Sequence, residues 1–340
     1  MPSLPLCLAS PRLCLAGLAT AFGLLSAPVA ADCNGRNLFD DMPADRVAAI
    51  EAAANAVPFP TGNYWRATRG DEVITLIGTY HFDDPRHLPT LDVITPEITA
   101  AATVLVEAGP DEEKQLLDLI ARDPSKIMIT DGPTLIEQLP PDIWSGLSEA
   151  LALRGVPGFM AAKFQPWYAI IMLAVPPCAM ARMADPKGLD GLVIDTARAA
   201  GVPVRGLEPF DTVFSIFDNM TKAEMVAMLQ STLAVEDRVE DYSATLADSY
   251  FAGENRLIWE FLRFVTYEMP GYTRDQVDAE YARMEELLMN TRNRGWIPVL
   301  TEAAANGPVF AAFGALHLSG EAGVLNLLAA EGYTLTELPL

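Results

Sequence analysis

The spacing of apolar and polar positions divides the chain into two α/β stretches around a long helical middle. Tyr64 to Thr68 and Val73 to Ile77 are short β-rich runs on either side of Arg69-Gly70-Asp71, which predicts a hairpin. Thr95-Pro96-Glu97 predicts a helix start, with Thr95 as cap and Pro96 in the first turn. Thr103 to Val106 is apolar, β-branched and short enough for a buried strand. From Pro110 to about Arg182 the spacing is helical, broken at Asp131-Gly132-Pro133, Pro140-Pro141 and Pro176-Pro177. Leu189 to Ala200 predicts a helix closed by Gly201, and Val202 to Leu207 a strand. Long amphipathic helices then fill the chain from about Phe210 to Asn306, with no strand among them. Val309 to Phe313 returns as strand, Glu321 to Ala330 as helix and Tyr333 to Leu338 as strand. Gly332 stands where a helix C-terminus calls for positive φ. The pattern predicts one α/β domain over residues 32–340, a mixed central sheet with flanking helices and helical insertions around 110–185 and 210–306.

The first 31 residues stand apart. Arg12 is the only charge before Asp32; the apolar run Leu13 to Leu25 and the small-residue ending Val29-Ala30-Ala31 follow it, as in a cleaved secretory leader. The expectation is an exported protein, periplasmic or extracellular, with no stable membrane insertion once the leader is removed. Against an uncleaved anchor, the run is short of the roughly 20 residues a span needs and contains Gly17 and Gly23. Cys7 and Cys14 leave with the leader, so Cys33 and Cys178 remain. An even pair in an oxidising compartment predicts one disulfide; the alternative is two unrelated buried thiols. Of the 340 residues, 51% are hydrophobic and 20% charged, a globular composition. The formal charge of −22 repels phosphate backbones and anionic headgroups. That weighs against nucleic acid as a partner and leaves a peptide or small molecule.

Two of the three histidines share a local frame. Val73 to Ile77 runs into Gly78-Thr79-Tyr80-His81, and Val309 to Phe313 runs into Gly314-Ala315-Leu316-His317. Ligands of α/β sheets bind outside the C-terminal ends of strands, so both imidazoles are expected to face one crevice. Glu107 closes a third strand on the same rim. Two imidazoles and a carboxylate suit zinc, manganese or cobalt. Ser319 and Glu321 are expected to open a helix whose positive end keeps His317 neutral. The bland alternative has each imidazole satisfying loop carbonyls and Glu107 capping a helix or pairing at the surface. Other candidates read first as structural. Asp83, Asp84 and Arg86 shape the site or cap a turn, and His87 is a surface or capping residue. Asp190 is a helix N-terminal acid, and Glu208 joins the crevice or pairs with Arg205. Arg292-Asn293 could clamp a carboxylate but fits a solvated helix face. No P-loop, GxGxxG or GxSxG occurs, which disfavours phosphoryl transfer and a serine hydrolase.

Taken together, the Gly78 to His81 motif, the strand ending in Glu107, the segment Gly188-Leu189-Asp190 through Leu207-Glu208, and Phe313 to Gly320 resemble the TraB/GumN family in order. Gln165-Pro166-Trp167 is similar to the family's mid-chain Lys-Pro-Trp-like patch, departing from it at Gln165, and Gly332 to Leu335 to its closing turn. The family is similar to the TIKI metalloproteases and, more distantly, to ChaN-like haem-binding lipoproteins and erythromycin-esterase-like hydrolases. The resemblance implies a shared α/β sandwich with the site at one sheet edge, and it carries over His81, Glu107 and His317 as that site, with Arg86 as an accompanying basic residue. The expected activity is metal-dependent hydrolysis of a peptide bond, with His81 and His317 holding the metal and Glu107 as ligand or base. The alternatives are a non-catalytic haem or peptide binder using the same crevice, and a structural relative with an empty site.

Overall fold

The computed structural model describes residues 33–182 and 188–340, so the leader expected over residues 1–31 lies outside the described residues. The strands are β1 (Tyr64–Arg69), β2 (Glu72–Thr79), β3 (Thr103–Val106), β4 (Val204–Gly206), β5 (Val309–Gly314) and β6 (Thr334–Glu337). They form one mixed sheet in the order β4-β3-β5-β2-β1-β6. β4, β3, β5 and β2 run parallel, while β1 pairs antiparallel with both β2 and β6. The tight β1–β2 turn rests on Gly70, whose φ of 59° suits a residue without a Cβ.

Period-two geometry decides what each strand buries. In β5, Val309, Ala311 and Phe313 join one core, and Phe310 and Ala312 join another across the sheet. β3 divides likewise, with Leu105 on the first face and Val104 and Val106 on the second. The first face is covered by the helices Thr291–Ala304 and Val324–Ala330, the second by His87–Ala100 and Leu189–Ala199. Burial on both faces is why the central strands read as unbroken apolar runs rather than alternating ones.

Strand ends shift by one or two residues from the sequence expectation, and two helix starts differ by more. The helix predicted to start at Thr95 begins at His87, and Pro96 lies inside it. Pro96 removes only a bond to the carbonyl of Asp92, an exposed residue, and the Thr95 hydroxyl donates back to Leu91 O at 2.7 Å instead of capping. The helix predicted from Glu321 begins at Val324, after a 3₁₀ turn over Ala315–His317.

The helical middle builds its own core. Leu135, Leu147, Leu151, Phe164 and Leu173 from the first insertion pack with Leu229 from the second. Thr291–Ala304, by contrast, falls within the second predicted insertion yet belongs to the sheet, where Trp296, Ile297 and Leu300 are buried. Near the N-terminus, helix Ala44–Ala54 packs Ile50 against Leu257 and Phe261. Cys33 and Cys178 form a disulfide across 145 residues of sequence, with Cα atoms 5.3 Å apart. Among the described residues no helix is long and apolar enough to cross a membrane.

Peptide mapping without reductant should recover the Cys33 and Cys178 peptides joined. Replacing both with Ser should lower the unfolding free energy by up to about 5 kcal/mol, the chain-entropy limit for so long a loop. Denaturant melts of the oxidised and substituted proteins measure the difference.

Candidate functional site

Each of the four parallel strands delivers one polar side chain to a common rim beyond its C-terminal end. β2 leads to His81, β3 to Glu107, β4 to Glu208 and β5 to His317. The floor is bare backbone at Gly314. A Cβ there would stand 3.1 Å from Glu107 Oε1, 3.6 Å from His81 Nε2 and 3.7 Å from His317 Cδ2, so the three candidates surround the space that this glycine leaves open. Gly188 serves the opposite wall. A Cβ on it would lie 2.4 Å from His81 O; without one, the helix Leu189–Ala199 docks its start on the β2 exit, Leu189 N–H donating to Tyr80 O at 3.1 Å.

That docking sets Asp190 against His81, Oδ1 to Nδ1 at 3.1 Å. The carboxylate only accepts, so Nδ1 carries the proton and Nε2 turns toward Gly314. His317 is anchored by a different partner. Asn293 Nδ2 donates to His317 O at 3.3 Å and to Ala322 O at 2.9 Å, which leaves its Oδ1 to accept from His317 Nδ1 at 2.6 Å. His317 Nε2 then offers a lone pair, and Arg292 Nη1 faces it at 3.2 Å. Trp296 lies against the ring at 4.4 Å between centroids and donates its indole N–H to Glu208 Oε2 at 3.0 Å.

Arg292 joins the rim residues. Its Nη2 donates to Glu107 Oε2 at 2.6 Å and Glu208 Oε1 at 2.7 Å, and its Nε to Glu208 Oε2 at 2.8 Å. Glu107 Oε1 accepts the Gly314 N–H at 2.6 Å. Burial alone would raise the Glu107 carboxyl. Facing His317, Arg292 and His81, and accepting from Gly314, it is pulled well below the usual carboxylate range instead. The Asp190 bond lifts His81 to about 9, although its side chain is 60% exposed. Burial pushes His317 down to about 3, so it is a neutral base at physiological pH. The expected helix N-terminus is not the cause, because the helix starts only at Val324.

The side-chain types at the rim are ones that a divalent ion takes as ligands. Asp190 and Asn293 hold the two rings by Nδ1 and turn both Nε2 atoms toward the rim, with a carboxylate between them. His317 Nε2 has a free lone pair, whereas His81, an imidazolium below about pH 9, must lose its Nε2 proton before it can bind an ion. As they stand, no group of three or more His, Cys, Asp or Glu among the described residues is gathered closely enough to hold a metal. Arg292 N–H groups already take atoms of both Glu107 and His317.

Several expectations change. Arg292 and Asn293 are not a solvated face: the Arg292 side chain is 15% exposed and Asn293 is 1% exposed. Glu208 pairs with Arg292 rather than Arg205, and Asp190 combines both expected roles, opening a helix and holding His81. Arg86 is kept apart from the imidazoles by Asp84 and Asp248, both at 2.8 Å, and lines the neighbouring cavity. His87 is not at the surface; it is fully buried among Tyr80, Tyr250 and Phe251, its Nε2 donating to Phe82 O at 3.0 Å. The roles of Asn293 and Trp296 escape the sequence; the one available signal is that Arg292 and Trp296, four apart on a helix, share a face.

A family model described as the TraB/PrgY/gumN family matches residues 63–337, a span that contains every rim residue. No curated protein matches the chain.

The burial of His87 yields a pH signature. Burial lowers its pKa, against the opposing bond to the Phe82 carbonyl. The unfolded chain binds that proton at about pH 6.5 and the folded chain resists it. The stability linked to His87 is therefore complete above about pH 6.5 and is lost as pH falls toward the folded value. Unfolding free energies measured from pH 8 to pH 5 should decline less steeply in His87→Phe than in the wild type. His87→Ala should cost about 2–4 kcal/mol through the cavity it leaves.

Proposed function

The chain belongs to the TraB/PrgY/gumN family, and from that premise we propose that it is an exported hydrolase that cleaves peptide bonds with a divalent ion held by His81 and His317, Glu107 serving as a further ligand or as the base. The observation that carries the reading is the pairing of the two imidazoles with different anchors, Asp190 and Asn293, each of which turns an Nε2 toward the rim that Glu107 shares. Manganese, cobalt or zinc would supply Lewis acidity there, lowering the pKa of water and polarising the scissile carbonyl.

The chain's own groups do the rest. Asp190 and Asn293 hold the rings in one tautomer and one orientation. Glu107 is ionised; in the role of base it would take the proton of the attacking water and return it to the leaving amine. Arg292, two of whose N–H groups rest on Glu107 and His317, would turn those donors to the carbonyl oxygen as negative charge develops on it. Support for a peptide comes from a cavity of about 410 Å³ that has His81 on its wall and Tyr80 and Phe82 beside it, room for a flanking side chain. Its carboxylates, Asp83, Asp84, Glu240 and Asp248, outnumber its cations, Arg86 and the protonated His81, which favours basic side chains. The same lining gives little support to haem, which wants a wide apolar slot. Export is supported by the Cys33–Cys178 disulfide, a bond that persists in oxidising compartments.

Metal content by mass spectrometry and hydrolysis of a peptide library, with manganese, cobalt or zinc supplied, test the proposal together. His81→Ala and His317→Ala should lose tight metal binding and remain folded. Glu107→Gln should keep metal and lose turnover by roughly a hundredfold or more if Glu107 is the base. A wild-type protein that takes up none of the three metals refutes the metallohydrolase.

A further inference from the structure

Arg292 uses every N–H it has. Nε and Nη2 grip Glu208 at 2.8 and 2.7 Å, Nη2 also donates to Glu107 Oε2 at 2.6 Å, and Nη1 faces Leu288 O at 3.0 Å and His317 Nε2 at 3.2 Å. Two of these acceptors, Glu107 Oε2 and His317 Nε2, belong to the donor set that a divalent ion would need. A guanidinium stays protonated and has no lone pair to give a metal, so it cannot join a coordination shell. It and the ion bid for the same two atoms.

The remaining contacts are independent of that contest. Glu208 accepts two bonds from Arg292 and is itself held by the Trp296 indole, and Leu288 O lies in the π turn Glu286–Asn290 that leads into the helix. Arg292 therefore has a resting place that survives the loss of Glu107 and His317. We propose that Arg292, seated on Glu208, is the affinity-determining residue of the site, a built-in competitor that a divalent ion must displace from Glu107 Oε2 and His317 Nε2. The inference rests on the metal reading given above. Its consequence is a threshold: displacement subtracts a similar amount from the affinity of every ion, so loosely held ions such as magnesium are excluded and ions that bind imidazole strongly remain.

Titration of the oxidised full-length chain with cobalt(II) and zinc, against a chromophoric chelator, measures the competition directly and needs no substrate. Arg292→Met should bind both ions roughly tenfold to a hundredfold more tightly than the wild type, the scale of one or two charge-assisted hydrogen bonds. Arg292→Lys separates competition from simple charge repulsion. It keeps the positive charge, but a single ammonium cannot span Glu208, Glu107 and His317 together, so it too should bind roughly tenfold more tightly. It also stands in if Arg292→Met, with two carboxylates left facing each other, does not fold. A lysine variant with wild-type affinity overturns the competition. If the wild type binds and neither variant binds more tightly, the inference falls and the metal reading stands. If no variant binds either ion, both fall.

Discussion

Glu107 and Glu208 leave the ends of adjacent parallel strands, β3 and β4, and point into the same partly buried space. Two carboxylates so placed repel each other, and the sheet can close over them only because Arg292 stands between. Removing one partner from a buried ion pair costs about 3–5 kcal/mol, because the charge left behind has no water to turn to. That guanidinium is what fixes the helix Thr291–Ala304 in register on the sheet. With Arg292 seated, Asn293 falls opposite His317 Nδ1, and Trp296, one turn on, falls between Glu208 and the His317 ring. The π turn at Glu286–Asn290 inserts its extra residue just upstream, where a change in helical phase decides which side chains face inward.

The two GxxH motifs arrive in the same frame and end in opposite states. His81 meets an aspartate and stays largely open to solvent, and the neighbouring negative charge favours the imidazolium. His317 meets an asparagine, which accepts the same hydrogen bond without bringing a charge, and burial then makes the ring neutral. Near-identical local sequences are thereby made chemically unequal by one partner atom supplied from a distant helix.

What sequence makes legible here follows from range. Thr103–Val106 was recognisable to the residue, since a buried parallel strand writes itself as a short apolar run. The same reasoning brought His81, Glu107 and His317 to one rim, because each sits directly behind such a run. Arg292, Asn293 and Trp296 are set by how one helix lies on a sheet, and their local pattern matches that of any amphipathic helix. His87 was misplaced for a related reason. Nothing beside it in sequence announces Tyr250 and Phe251, which close over it from the other end of the fold. Pro96 misled more simply, because a proline tolerated within a helix looks locally like one that begins it.

The sheet order also carries a timetable. β2 and β3 are close in sequence but do not touch; β5, at Val309–Gly314, runs between them and pairs with both. On a growing chain the first two strands of the site therefore appear long before the strand that joins them. Until β5 emerges, Leu76, Ile77, Val104 and Leu105 have no neighbour on that side. Those strand edges consequently stay unpaired until residues from Val309 on are available, and an unpaired edge is open to aggregation meanwhile.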